Sequence, residues 1–134
     1  MSLEIGQRER EGIVLLDMKG RITIGDEVSA FRQAFERIAE QTEPRLILNM
    51  HGVDYVDSTG LGAMVMCSTR FQNAKGAAKL VNVNRRNIEL MVMTRLDMIF
   101  EVFEDEIDAI NSFFPGREIK RFDILNFVQH LREE

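Results

Sequence analysis

Two hydrophobic periods follow one another along this chain, and their order restricts the fold more than any single residue does. Between Gly12 and Gly20, Val14, Leu16 and Met18 alternate with Asp17 and Lys19. That period of two is the mark of a strand with one wet face. A shorter strand over Leu3–Gln7 is placed to pair with it. After turn residues between Gly20 and Gly25, Val28, Phe31, Phe35 and Ile38 recur three and four residues apart, which predicts an amphipathic helix over Asp26–Gln41. Asp26 and Glu27 suit the positive amino end of that helix, and Pro44 stands just past its stop.

The uninterrupted run Leu46-Ile47-Leu48 reads as a short strand covered on both faces, and therefore central in a sheet. A polar loop follows. Beyond it the pattern predicts a helix over Leu61–Ala74, a strand over Lys79–Val83, a helix over Arg86–Leu96, a strand over Ile99–Phe103 and a last helix over Glu104–Phe113. Two strands followed by repeated helix and strand predict an α/β sandwich, with four helices packed on a mixed sheet of about five strands.

Pro115-Gly116 is the strongest break, so the chain divides into a domain over residues 1–114 and an extension over residues 115–134. The extension has its own stripe: Phe122, Leu125, Val128 and Leu131 at three-residue steps, with Ile124 and Phe127 beside them. This C-terminal amphipathic helix either packs on its own domain or covers a second subunit as a homodimer contact. The cost of keeping an apolar stripe wet favours the first.

Composition removes several classes of function. With 134 residues, 45% hydrophobic and 29% charged, the chain can build one core and little more. Its 17 basic and 22 acidic residues leave a net charge of −5, which disfavours nucleic acid as a partner. Cys67 is the only cysteine, so neither a disulfide nor a thiolate zinc site can form within the chain, and a buried apolar role fits it best. His51 and His130 do not make a metal motif; no metal and no cofactor are expected. No apolar run approaches the roughly 18 residues of a bilayer span, and the charged first residues do not read as a secretory signal. The expected location is cytoplasmic.

The chemistry concentrates in Asp54-Tyr55-Val56-Asp57-Ser58-Thr59-Gly60-Leu61-Gly62, between a buried strand and a helix. Ser58 stands where a helix cap would stand. Gly60 and Gly62 fall in the first turn, where each costs up to about 1 kcal/mol relative to alanine. Glycines there leave backbone N–H groups bare and let another surface approach a neighbouring hydroxyl. On a helical wheel, Leu61, Met64, Cys67, Phe71 and Ala74 share the apolar side, whereas Gly62, Met66, Thr69, Arg70 and Asn73 face water. An exposed, flexible Met66 suits a protein-docking surface.

Asp57-Ser58-Thr59-Gly60-Leu61-Gly62, following a buried strand and opening a helix, resembles the signature of STAS domains, in particular those of bacterial anti-sigma factor antagonists. The similarity in element order runs from about Leu3 to Phe113. It implies a STAS-like sandwich and a non-enzymatic switch. In that family the serine after the motif aspartate is phosphorylated by the partner, an anti-sigma factor that is also a serine kinase, and a serine phosphatase completes the cycle. The resemblance points to Ser58, with Thr59 as second choice. Asp57 would orient the hydroxyl or assist the kinase's metal. Gly60 and Gly62 would permit close approach, and Met66, Thr69 and Arg70 would belong to the docked face. Many relatives carry an acidic residue a few positions after the glycine that ends the second strand. Here the segment reads Gly20-Arg21-Ile22-Thr23, and Thr23 takes that place.

Two other readings are distinguishable. A STAS subunit of a lipid or anion transport assembly would use the same helix start for contact without phosphorylation. A serine hydrolase would want Gly-x-Ser-x-Gly, but Val56 stands two residues before Ser58, and His51 is the only base close to it in sequence. Arg85-Arg86 reads as a solvated pair, Glu104–Glu106 as a helix amino end, and Met91, Met93 and Met98 as core filling.

Overall fold

A computed structural model describes residues 2–120, 122–124, 126, 127 and 129. Glu11 and Gly12, both with positive φ (51° and 81°), form the two-residue turn that folds β1 (Leu3–Arg10) antiparallel onto β2 (Ile13–Ile22). Positive φ at both positions gives the turn the twist a hairpin needs. The chain continues through α1 (Asp26–Ala39), β3 (Arg45–Val56), α2 (Ser58–Asn73), β4 (Ala77–Val81), α3 (Arg85–Met93), a 3-10 turn (Leu96–Met98), β5 (Val102–Phe103) and α4 (Glu106–Asn111). The sheet order is β1-β2-β3-β4-β5, with every pair after the first parallel. This is the expected mixed α/β sandwich of five strands and four helices.

The sheet carries apolar residues on both faces. Val14, Leu16, Leu46, Leu48 and Leu80 meet α1, α2 and α3 through Phe31, Phe35, Cys67, Phe71, Ile88 and Met91. Ile13, Leu15, Ile47, Val81 and Phe103 meet α4 through Ala109 and Ile110. Leu46, Ile47 and Leu48 are completely buried, as a central strand requires. Cys67 is buried too, and desolvation pushes its thiol pKa far up, which keeps it protonated. On the α4 side, Arg8 bridges the carboxylates of Asp17 and Glu106, each at 2.6 Å; Arg10 also pairs with Glu106.

Several boundaries differ from the sequence expectation. The polar loop after Leu48 is in fact the second half of β3, paired with β2 through Lys19↔Gly52, Gly20↔Val53 and Ile22↔Val56. Register shifts between Asp17 and Lys19 and between Gly20 and Arg21 break the alternation, so the buried residues Met50, Val53 and Val56 fall three apart and hide the strand. β4 begins at Ala77, whose N–H donates to the Pro44 carbonyl, and stops before Asn82, where φ is +59°. β5 keeps two residues because Ile99 closes the 3-10 turn onto Leu96. The helix after β4 starts at Arg85 under the Asn84 cap. Met91 is in the core, but Met93 and Met98 are 81% and 79% exposed, contrary to expectation. The helix ends between them, so its periodicity does not carry to Met98.

Beyond α4 the chain crosses the sheet from one face to the other. Phe113, Phe114 and Ile119 pack on the α4 side, whereas Phe122, Ile124 and Phe127 pack on the larger cluster. Ile124, Asn126, Phe127 and Gln129 are helical, and Asp123 caps that turn by accepting the Asn126 N–H at 3.0 Å. Leu125, Val128 and Leu131 of the expected stripe lie outside the described residues. Among the described residues, no helix is long and apolar enough to cross a membrane.

Candidate functional site

β3 delivers the chain to α2 at Asp57, and two facts about Asp57 organise the site. Its backbone is extended (φ −89°, ψ −178°), and its carboxylate accepts the Gly60 N–H at 2.8 Å, which makes Asp57 the cap of α2. The other carboxylate oxygen accepts the Ile24 N–H, at 2.9 Å, from the loop between β2 and α1. These amides, Ile24 first and then Gly60, hold the Asp57 carboxyl below the usual carboxylate range. The Asp57 N–H in turn donates to the Ile22 carbonyl at 3.3 Å.

Capping by Asp57 corrects the expectation that Ser58 is the cap. Ser58 is instead the first residue of α2, exposed, with Thr59 exposed beside it. Both residue types cap well, and what decides between them is the backbone: Asp57 stays extended after β3 while Ser58 is already helical. The hydroxyl of Ser58 is thereby spared a structural duty.

The two glycines also separate. Gly60 is buried, and a Cβ on it would lie 2.0 Å from the Ile22 carbonyl oxygen and 2.8 Å from Val56 Cγ1. It permits close approach of the chain's own β2, not of a second molecule, and its N–H is engaged by Asp57 instead of bare. Gly62 is exposed, and a Cβ there would have nothing within 4 Å.

The remaining expected residues are placed as follows. Met66 is 45% exposed and Thr69 is exposed. Arg70 is half-buried, and its guanidinium pairs with Glu36 of α1 at 3.1 Å, so it is committed within the chain. Thr23 is half-buried in the β2–α1 loop, where its carbonyl accepts the Val28 N–H at 3.1 Å. Sequence reasoning missed Ile24, next to Thr23 and 71% exposed. The available signal was an isoleucine between the end of a strand alternation and Gly25, whose φ is +108°.

His51 lies on β3, not in a loop with Ser58, and its N–H donates to Asn49. Arg85 pairs with Glu89 at 3.8 Å, and Arg86 stacks over the Tyr55 ring at 4.9 Å. Among the described residues, no group of three or more His, Cys, Asp or Glu could hold a metal ion.

This fold has counterparts. A family model of the STAS domain matches residues 4–109, and the chain belongs to that family. It is 23% identical over 113 residues to an anti-sigma F factor antagonist of Paenibacillus polymyxa, covering 84% of this chain and 96% of that one. It is 28% identical over 102 residues to an anti-sigma-B factor antagonist of Bacillus subtilis, covering 76% and 92%. Among solved structures, the Bacillus cell fate determinant SpoIIAA in its phosphorylated form superposes with a TM-score of 0.63 at 16% identity, covering 82% of this chain and 99% of that one.

Proposed function

We propose that the protein is an anti-sigma factor antagonist: a phosphorylation-controlled binding switch of the bacterial cytoplasm, acting by contact and not by catalysis. Unphosphorylated, it captures an anti-sigma factor that is also a serine kinase and so frees a sigma factor for transcription. Phosphorylated on Ser58, it lets go, and a serine phosphatase resets it. The observation that carries this reading is the division of labour at the start of α2, where Asp57 caps the helix and the adjacent Ser58 is exposed. The names of the two relatives and the phosphorylated form of SpoIIAA support it.

The physics of such a switch is local. A phosphate adds about −1.5 to −2 charges and three strong acceptors. Asp54 and Asp57 already make the neighbourhood negative, so a partner closed over a neutral Ser58 meets an unmatched dianion once the residue is modified. A penalty of about 4 kcal/mol weakens binding roughly a thousandfold. Ser58, Thr59, Gly62, Met66 and Thr69 form the partner-facing surface, with Thr23 at its edge. Asp57, Gly60 and Arg70 set its geometry from within.

The test is to incubate the protein with ATP and the purified anti-sigma factors of its own genome, map the phosphate by mass spectrometry, and measure binding of Ser58→Ala and Ser58→Asp. Ser58→Ala should bind as the wild type does and resist phosphorylation, while Thr59→Ala should still be phosphorylated. Wild-type affinity in Ser58→Asp would refute the switch.

A further inference from the structure

Ile24 is a large apolar side chain held out into solvent on a pinned backbone. Its own N–H is bound by Asp57, the preceding carbonyl of Thr23 accepts the Val28 N–H, and the Ile22 carbonyl fills the space a Cβ on Gly60 would need. An exposed isoleucine on a loose loop is unremarkable, since surfaces carry many single apolar groups. This one is tied to the carboxylate that caps α2 immediately before Ser58, so its position is fixed relative to the candidate phosphorylation site. Among the described residues, the other highly exposed large apolar ones, Met93, Met98 and Ile107, belong to α3, the turn after it and α4.

A second observation, on α2, points outward. Gly60 has a steric reason inside the monomer; Gly62 has none, although an exposed helical glycine costs up to about 1 kcal/mol relative to alanine. A partner that approaches the bare backbone from outside would compensate that cost. Ser58, Gly62 and Met66 are spaced four residues apart on α2, so one side of the helix presents the hydroxyl, a flat glycine and an exposed thioether in series.

We propose that Ile24 is the apolar anchor of the docking surface, received by an apolar pocket of the anti-sigma factor. The inference rests on the reading of Ser58 as the switch. The anchor is continuous with that switch, because the Asp57 carboxylate that accepts the Ile24 N–H also caps α2 immediately before Ser58. Anchor and switch then have separate tasks. Fit of the isoleucine into its pocket selects the partner, and an unmatched phosphate on Ser58 releases it.

The experiment measures affinity for the same purified anti-sigma factor that phosphorylates Ser58, with Ile24→Ser, Ile24→Val and, as a remote control, Ile107→Ser. At 71% exposure Ile24 can be replaced without loss of fold, which thermal melting checks. The expected result is a loss of about tenfold or more for Ile24→Ser, equal at about 0.1 M and 0.5 M salt because the contact is apolar. Ile24→Val should stay within about threefold, and Ile107→Ser should match the wild type. If Ile24→Ser binds as tightly as the wild type while Ser58→Asp does not, the anchor is wrong and the switch stands. If the wild type neither binds an anti-sigma factor nor is phosphorylated by one, the switch reading fails and the anchor fails with it.

Discussion

The Asp57 carboxylate accepts the backbone N–H of Ile24 at 2.9 Å and, through its other oxygen, that of Gly60 at 2.8 Å, so one side chain fastens the β2–α1 loop to the start of α2. Asp57→Ala removes the cap and the fastening together. The expected cost is about 1–2 kcal/mol in urea unfolding, within the range of lost N-caps. A cap alone would leave the loop unaffected. Here hydrogen exchange at the Ile24 amide should accelerate as well, and unchanged exchange would mean that the loop is held by other contacts. Asp57→Asn, which offers a single acceptor oxygen, should keep part of the stability.

Gly60 and Gly62 are predicted to respond in opposite directions to the same substitution. Gly60→Ala drives a methyl into the Ile22 carbonyl, a backbone atom that cannot swing aside. It should destabilise by about 2 kcal/mol or more, as overpacking does. Gly62→Ala meets open space and should stabilise the monomer by up to about 1 kcal/mol. The same Gly62→Ala protein should bind the anti-sigma factor more weakly. Thermal melting and a binding titration on both variants check the pair; a Gly62→Ala protein with more stability and undiminished binding would remove Gly62 from the interface.

The parts of this fold that were legible in the sequence are those in which local pattern and tertiary structure agree. Phe31, Phe35 and Ile38 repeat at helical spacing and are buried on α1, and Leu46 to Leu48 read as central because both faces of β3 are covered. The second half of β3 was not legible, because bulges against β2 replace the strand period with one that no strand template matches. The candidate site was found through Asp57-Ser58-Thr59-Gly60, but its internal roles were not. Aspartate and serine are equal as caps, so only the backbone turn after Val56 decides which residue holds the helix and which is presented. The burial of Gly60 depends on a carbonyl thirty-eight positions away in β2, and the placement of Ile24 on the hydrogen bond its N–H donates to Asp57; neither long-range contact leaves a local trace.

Arg8, Asp17 and Glu106 join β1, β2 and α4 in a network whose strength depends on pH. The Arg8 guanidinium is the largest cause holding both the Asp17 and the Glu106 carboxyls below their usual range. For carboxyls depressed in the folded state, the stabilisation is fully present above the unfolded pKa values of about 4 and is lost as pH falls through the lower folded values. Arg8 and Asp17 are more than one third exposed, so screening limits each pair to about 0.5–1 kcal/mol. Arg8→Gln should therefore lose about 1 kcal/mol at pH 7 and progressively less as pH falls below about 4. Urea midpoints for both proteins across that range check the slope; parallel curves would show that the network is not linked to protonation.

The tail after Lys120 is predicted to be a structural part of the domain on which it packs. Phe122, Ile124 and Phe127 contact the larger apolar cluster, with the Phe122 and Phe127 rings 5.5 Å apart, after the chain has left the α4 face where Phe113, Phe114 and Ile119 sit. Removing residues 121–134 uncovers that part of the cluster and keeps the Arg117–Glu11 pair, which holds the preceding segment. Burial of three half-covered side chains is worth roughly 3 kcal/mol, so the truncated protein should melt several degrees lower and bind a dye that reports exposed apolar surface. If the tail instead served a second subunit, truncation would turn a dimer into a monomer with little change in the melting temperature extrapolated to low concentration. Sedimentation of the full-length and truncated chains at several concentrations separates the two outcomes, because only subunit contact makes stability depend on how much protein is present.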